Sequence, residues 1–355
     1  MRRILFCLIA AFIGLFVLSL HPARAQAWQS GATGDLLFQT SAFMQSQSYA
    51  KPDGIADQMS DSGAYSPLNQ TWDRTHEGKW RIEEQRYGFA AFVAGILYHR
   101  QDLIDRGRKI MDWGFAQEQP DGSFACGDNF HSSQFFIESA AHAALLLQAS
   151  SMAPQNQAWI NSIKPQLRKA AYWLIDPQND IPGKKHDAPY THRRYLAAAA
   201  IGETGVLTGD TKLIERSRQY IAEGISLQTS EGVNPEKSGS DTNYQAVGLS
   251  FALSYYTLVA DDADRRALAP MIEHGLGWLR SRMRPDGTLD QSENTRTGLG
   301  QERGPNGTLK YMSYKTAADA AAYWAMIQEN KAWMEFAKKL CEGEKVELAE
   351  RKENK

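Results

Sequence analysis

Two short segments carry residues able to move protons. His192 stands in Tyr190-Thr191-His192-Arg193-Arg194-Tyr195, and Tyr244 in Ser238-Gly239-Ser240-Asp241-Thr242-Asn243-Tyr244-Gln245. An imidazole titrates near neutrality and can act as acid or base. A phenol can do the same when cationic neighbours lower its pKa, and Lys237 lies in the loop just before Tyr244. Arg193 and Arg194 are adjacent like charges, which repel unless an anion accompanies them. A guanidinium fork suits a carboxylate, so a carboxylate-bearing ligand fits this segment, with Tyr190 beside it. Asn129 and His131, in Asn129-Phe130-His131-Ser132-Ser133-Gln134, add an amide and an imidazole that can hydrogen-bond and help neutralise a carboxylate. Glu83, Glu84 and Arg86 form a further polar group, although glutamates at a helix start also serve as cap complements. Trp72 belongs to the dense polar run Trp72-Asp73-Arg74-Thr75-His76 and offers a face for a sugar ring. His131 and His192 could share a metal, but neither sits in an HxxxH or HxxE pattern. No metal or other cofactor is expected.

These residues need elements that bring them together. Apolar residues recur at helical spacing through most of the chain, and helices are expected near 30–47, 82–99, 102–118, 131–150, 156–175, 190–208, 211–228, 241–260, 264–283, 312–328 and 330–345. No convincing period-two strand is present. Helices of one kind stop at Gly-bearing turns, namely Gln119-Pro120-Asp121-Gly122, Glu231-Gly232 and Arg284-Pro285-Asp286-Gly287. There proline fixes φ and glycine supplies φ > 0. Helices of the other kind open with a polar turn and, after the first, run into small residues such as Ala197–Ala200 and Ala317–Ala322. The candidate residues all fall in or near such openings, or in the loops before them. Repeated helical hairpins that stack on one another extend as a solenoid or close on themselves. The expected fold is all-α, a single (α/α) toroid of about six hairpins over 26–355, with the inner-helix N-termini meeting at one mouth. Positive dipole ends gathered there favour an anionic ligand. Long loops at 49–81, 119–130, 176–189, 229–240 and 285–310 would line that mouth.

Composition narrows the classes. The chain has 355 residues, 39 basic and 41 acidic, and is 43% hydrophobic, which excludes disorder and a disulfide-stapled miniprotein. The near-neutral balance gives no footprint for nucleic acid. Arg2 and Arg3, the apolar stretch Ile4 to Leu20 and Ala23-Arg24-Ala25 fit a secretory signal peptide over 1–25. Its removal leaves 36 basic against 41 acidic residues and takes away Cys7. The remaining Cys126 and Cys341 could pair in an oxidising compartment. No second long apolar run follows, so a soluble, monomeric, periplasmic or secreted protein is expected.

The segments at 190–195 and 240–249 together resemble the (α/α)-toroid polysaccharide lyases, in particular the alginate and glucuronan lyases, in which a His on one inner helix is followed by a Tyr on the next. The resemblance implies proton transfer by Tyr244 and His192, with Asn129 or His131 neutralising the substrate carboxylate. Where alginate lyases carry Asn-Asn-His, this chain has Tyr190-Thr191-His192. An Arg is expected shortly before the tyrosine, and Lys237 is the nearest cation. The implied reaction is metal-independent β-elimination on a uronate polymer such as glucuronan, alginate or a related exopolysaccharide. Two other readings accompany it. A glycoside hydrolase on the same fold would use carboxyls such as Asp121, Asp128, Asp241 or Glu84. A non-catalytic polysaccharide binder would keep only aromatic platforms.

Overall fold

A computed structural model describes residues 82–303 and 309–353, together with Thr40, Phe43, Gly63 and Tyr65. The targeting segment, most of the expected helix at 30–47 and the loop with Trp72 lie outside the described residues. Eleven α-helices are described. They are α1 (Gly88–Leu97), continuing a 3₁₀ segment at Ile82–Tyr87, α2 (Gln101–Phe115), α3 (Asn129–Ala149), α4 (Ala153–Ile175), α5 (Pro177–His186), α6 (His192–Thr208), α7 (Thr211–Leu227), α8 (Thr242–Leu258), α9 (Asp262–Ser281), α10 (Tyr314–Ile327) and α11 (Lys331–Glu353). Extended pairing among the described residues is limited to isolated bridges. The described chain is thus all-helical.

The helices form two layers. In one, α1, α3, α6, α8 and α10 pack each against the next. In the other lie α2, α4, α7, α9 and α11, each packed on the helix that precedes it in its hairpin. Composition separates the layers. In α6 every residue except Val206 and Thr208 is buried, so the helix has no solvent face. In α7 the buried residues are Leu213, Ser217, Tyr220, Ile221 and Gly224, one stripe of an amphipathic helix. Small residues let the layers approach. A Cβ on Gly202 would lie 2.8 Å from Val259 Cγ1 and 2.9 Å from Ser217 Oγ.

The three Gly-bearing turns have a shared job. Gly122, Gly232 and Gly287 adopt φ of +94°, +90° and +85°. Each sits against a backbone carbonyl of the next outer helix: a Cβ would lie 2.5 Å from Lys169 O in α4, 2.3 Å from His274 O in α9 and 2.4 Å from Lys339 O in α11. Each turn is therefore a peg seated on its neighbour.

One expected loop is a helix. The segment 176–189 contains α5, which starts with Asp176 accepting from the Gln178 N–H and Pro177 at its first position, and closes on Lys184, Lys185 and His186. Proline at a helix start lacks only an N–H that has no partner there, so Pro177 marks an opening, while Pro182 sits inside the helix. α11 also runs on to Glu353, beyond the 345 expected. Cys126 is half-buried ahead of α3 and Cys341 is buried within α11. No described helix is long and apolar enough to cross a membrane.

Candidate active site

His192 is the first residue of α6 and Tyr244 lies in the first turn of α8. Because the two helices are neighbours, the rings meet with centroids 4.8 Å apart and planes inclined by 38°. The His131 ring, from the start of α3, lies 6.3 Å from His192, and the Tyr190 ring is also 6.3 Å from it. Four of the residues picked out in the sequence therefore converge.

The partner that orients His192 is Glu236. Its Oε1 lies 2.6 Å from His192 Nδ1 and accepts from the His192 backbone N–H at 3.2 Å. Glu236 is wholly buried and His192 is 2% exposed. The carboxylate is fixed through its backbone: Glu236 bridges to Tyr190, the Thr191 N–H donates to Pro235 O, and the Lys237 N–H donates to Pro189 O. Lys237 and Ser238 turn the chain with φ of +49° and +66°. Burial works against ionising Glu236, yet His192 and Arg296 outweigh it and hold the carboxyl below its usual range. Burial pushes the His192 pKa down, while Glu236 pulls the other way. A neutral imidazole whose Nδ1–H donates to Glu236 presents its Nε2 lone pair as the proton acceptor.

Tyr244 is covered by Arg296, whose guanidinium carbon stands 3.4 Å from the ring centroid. Arg296 Nη1 donates to Glu236 at 3.0 Å, and Nε and Nη2 reach Glu302 at 2.7 and 3.1 Å. The Tyr244 hydroxyl donates to Glu302 at 3.3 Å and accepts from Lys310 Nζ at 3.4 Å. Lys310 Nζ lies 2.5 Å from Glu302 and Lys237 Nζ 3.6 Å. One carboxylate thus gathers three cations and the phenol. Burial opposes the Glu302 charge, but Arg296 and Lys310 prevail and hold its carboxyl far below the usual range. Burial pushes the Tyr244 phenol up against the pull of Arg296, so it is a neutral donor.

Asp241 places Arg296. One carboxylate oxygen caps α8 by accepting from the Asn243 and Tyr244 N–H groups, both at 3.1 Å. The other accepts from the Arg296 and Thr297 N–H groups at 2.9 and 2.8 Å. Asn294 adds a bond from the Thr242 N–H at 2.9 Å. The helix start and the loop carrying Arg296 are therefore tied through one side chain.

The remaining expected residues divide. Arg193 lies 4.5 Å from the Tyr190 ring centroid and pairs with Asp187 and, at 3.7 Å, Asp128. Arg194 turns away, donating to Lys184 O at 3.1 Å and lying 3.5 Å from Glu223 of α7. Internal carboxylates thus accompany both guanidiniums. Asn129 opens α3 with an exposed side chain. Glu84 is buried in the 3₁₀ segment. His131 is 6% exposed, and its Nδ1 is buried with no hydrogen-bond partner among the described residues. Burial, then the charges of Arg193, His192, Arg86 and Arg296, push its pKa well down. The cation expected just before Tyr244 comes instead from Arg296 in a later loop, with Lys237 reaching only Glu302. Sequence reasoning missed Glu236, Glu302 and Lys310 as site residues. Arg296 falls in the loop 285–310 expected at the mouth, but it was not singled out.

The chain matches no protein-family model, and no curated protein matches it.

Proposed function

We propose that the chain is a polysaccharide lyase that cleaves a uronate-containing polymer by β-elimination, in an (α/α) toroid whose mouth holds the site around His192 and Tyr244. The observation carrying this reading is the His192–Glu236 pair set against a neutral tyrosine covered by Arg296. The serial packing of the inner helices supports the toroid, and the segment 1–25 would deliver the enzyme to the periplasm or beyond.

The chemistry follows from the groups present. The uronate carboxylate takes the place of Glu302 beside Arg296, Lys310 and Lys237, and neutralising it acidifies the C5 proton. His192 Nε2 accepts that proton. The C5–H electron pair becomes the C4–C5 double bond, the C4–O bond breaks, and the leaving oxygen takes the Tyr244 proton. Exchange with solvent returns the proton from His192 to Tyr244. A sugar ring inserted between two rings needs a van der Waals contact of about 3.5–4.0 Å on each side. The 4.8 Å between the His192 and Tyr244 centroids leaves no such room. Both transfers then occur on one face of the sugar, which fits glucuronate or mannuronate, where the C5 proton and C4 oxygen share a face.

The test is the ultraviolet absorbance of the unsaturated product on glucuronan, polymannuronate and polyguluronate. Absorbance is expected to grow on one of the first two and not on the third. Chain shortening without absorbance would point to hydrolysis and end the lyase reading.

A further inference from the structure

A second group of polar side chains lies deeper between the inner helices. Glu138 and His142 stand one turn apart on α3, Glu203 comes from α6 and Ser254 from α8. His142 lies three turns beyond His131, about 16 Å along the helix axis at 1.5 Å per residue. The group is thus separate from the site around His192. His142 Nδ1 lies 3.6 Å from Glu138 Oε1, 4.0 Å from Glu203 Oε1 and 3.3 Å from Ser254 Oγ. One donor atom from each of Glu138, His142 and Glu203 falls within 4.8 Å of the others. The Phe89 ring backs the imidazole at 4.6 Å.

Glu203 is 0% exposed, and its Oε2 is buried with no hydrogen-bond partner among the described residues. Its other oxygen accepts from Ser254. Two carboxylates this close in a buried setting need a cation or a proton to compensate them. No Lys or Arg is paired with either carboxylate among the described ion pairs.

We propose that Glu138, His142 and Glu203 bind a divalent transition-metal ion, zinc by preference, as a structural tie between α3 and α6. An imidazole with two carboxylates is a zinc donor set, at about 2.0–2.2 Å per ligand. Ligands of a tetrahedral ion at that distance are about 3.4 Å apart, so the 3.6 and 4.0 Å separations from His142, and the carboxylate pair within 4.8 Å, close by an inward shift of the side chains. The Ser254 hydroxyl or a water completes the shell. The Glu138 and His142 side chains are 10% and 12% exposed, so an ion can enter from their side.

The test uses the full chain stripped with a chelator and titrated with zinc sulfate. Calorimetry and elemental analysis should find one tightly bound equivalent. Cobalt(II) should bind there with visible bands of a low-symmetry site, and zinc should raise the melting temperature. Glu203→Gln and Glu138→Gln, each checked for helicity, should lose the bound equivalent and the zinc-dependent shift. Should either variant fail to fold, His142→Gln provides the same comparison. A wild-type chain that binds no zinc, or variants that bind it unchanged, would overturn the proposal and leave the carboxylates sharing a proton.

Discussion

At the scale of single residues, each part of the site has a distinct expected loss. Tyr244→Phe removes one oxygen and keeps the ring that packs on Arg296 and His192. Turnover on the true polymer is expected to fall about 10²–10⁴-fold with binding nearly unchanged, measured by initial rates and by polymer titration. Near-normal turnover would refute the assignment. Glu236→Gln reaches further, because this carboxylate serves both His192 and Arg296 from a fully buried position. Removing one partner of a buried ion pair costs about 3 kcal/mol, so chemical denaturation should show lost stability together with lost rate. Glu302→Gln should tighten binding of a uronate oligomer while leaving a neutral oligosaccharide unaffected, since only the former competes for the three cations. His192, Tyr244 and Tyr190 were legible because residue type and helix-start position coincide in the sequence. Glu236 was not: its role depends on the positive φ at Lys237 and Ser238, which folds the loop back onto α6. Neither residue is a glycine that would have marked the turn.

At the scale of elements, caps separate stability from function. Asp241 caps α8 and also holds the Arg296 loop, whereas Asp261 caps α9 through the Ala263 and Asp264 N–H groups. Alanine at either position should cost about 0.5–2 kcal/mol. Only Asp241→Ala should also cut activity, because Arg296 loses its anchor over Tyr244. Equal activity losses in the two variants would deny Asp241 this second role. The helical hairpins and their Gly-bearing stops were readable from periodicity and turn chemistry. The helix at Pro177–His186 was not, because its prolines and low apolar content read as loop until the Asp176 cap is seen in place. Arg296 was obscured for a related reason. It comes from a loop without periodicity, and its register is set by hydrogen bonds to Asp241 that no local pattern announces.

At the scale of the whole molecule, the concentration of charge between the inner helices sets a pH response. The folded-state pKa of His131 is depressed, so below about pH 6.5 the unfolded chain binds a proton that the folded chain excludes. Stability therefore falls on acidification, by at most about 1.4 kcal/mol per pH unit for that one group. Denaturant titrations at pH 7 and pH 5 should show a smaller difference for His131→Gln than for the parent chain, and an unchanged difference would exclude this origin. The seated turns set a response of another kind, in how the chain tolerates changes of length. Gly122, Gly232 and Gly287 each rest on one carbonyl of the following outer helix. A residue inserted upstream in such a helix swings that carbonyl by about 100° and unseats the peg. Insertions and deletions in this lineage should therefore collect at the ends of these helices and in the loops that join them. The helical stretch around each socket carbonyl should keep a constant residue count while its side chains drift, so that the surface formed by the loops can diversify on a frame whose spacing is locked.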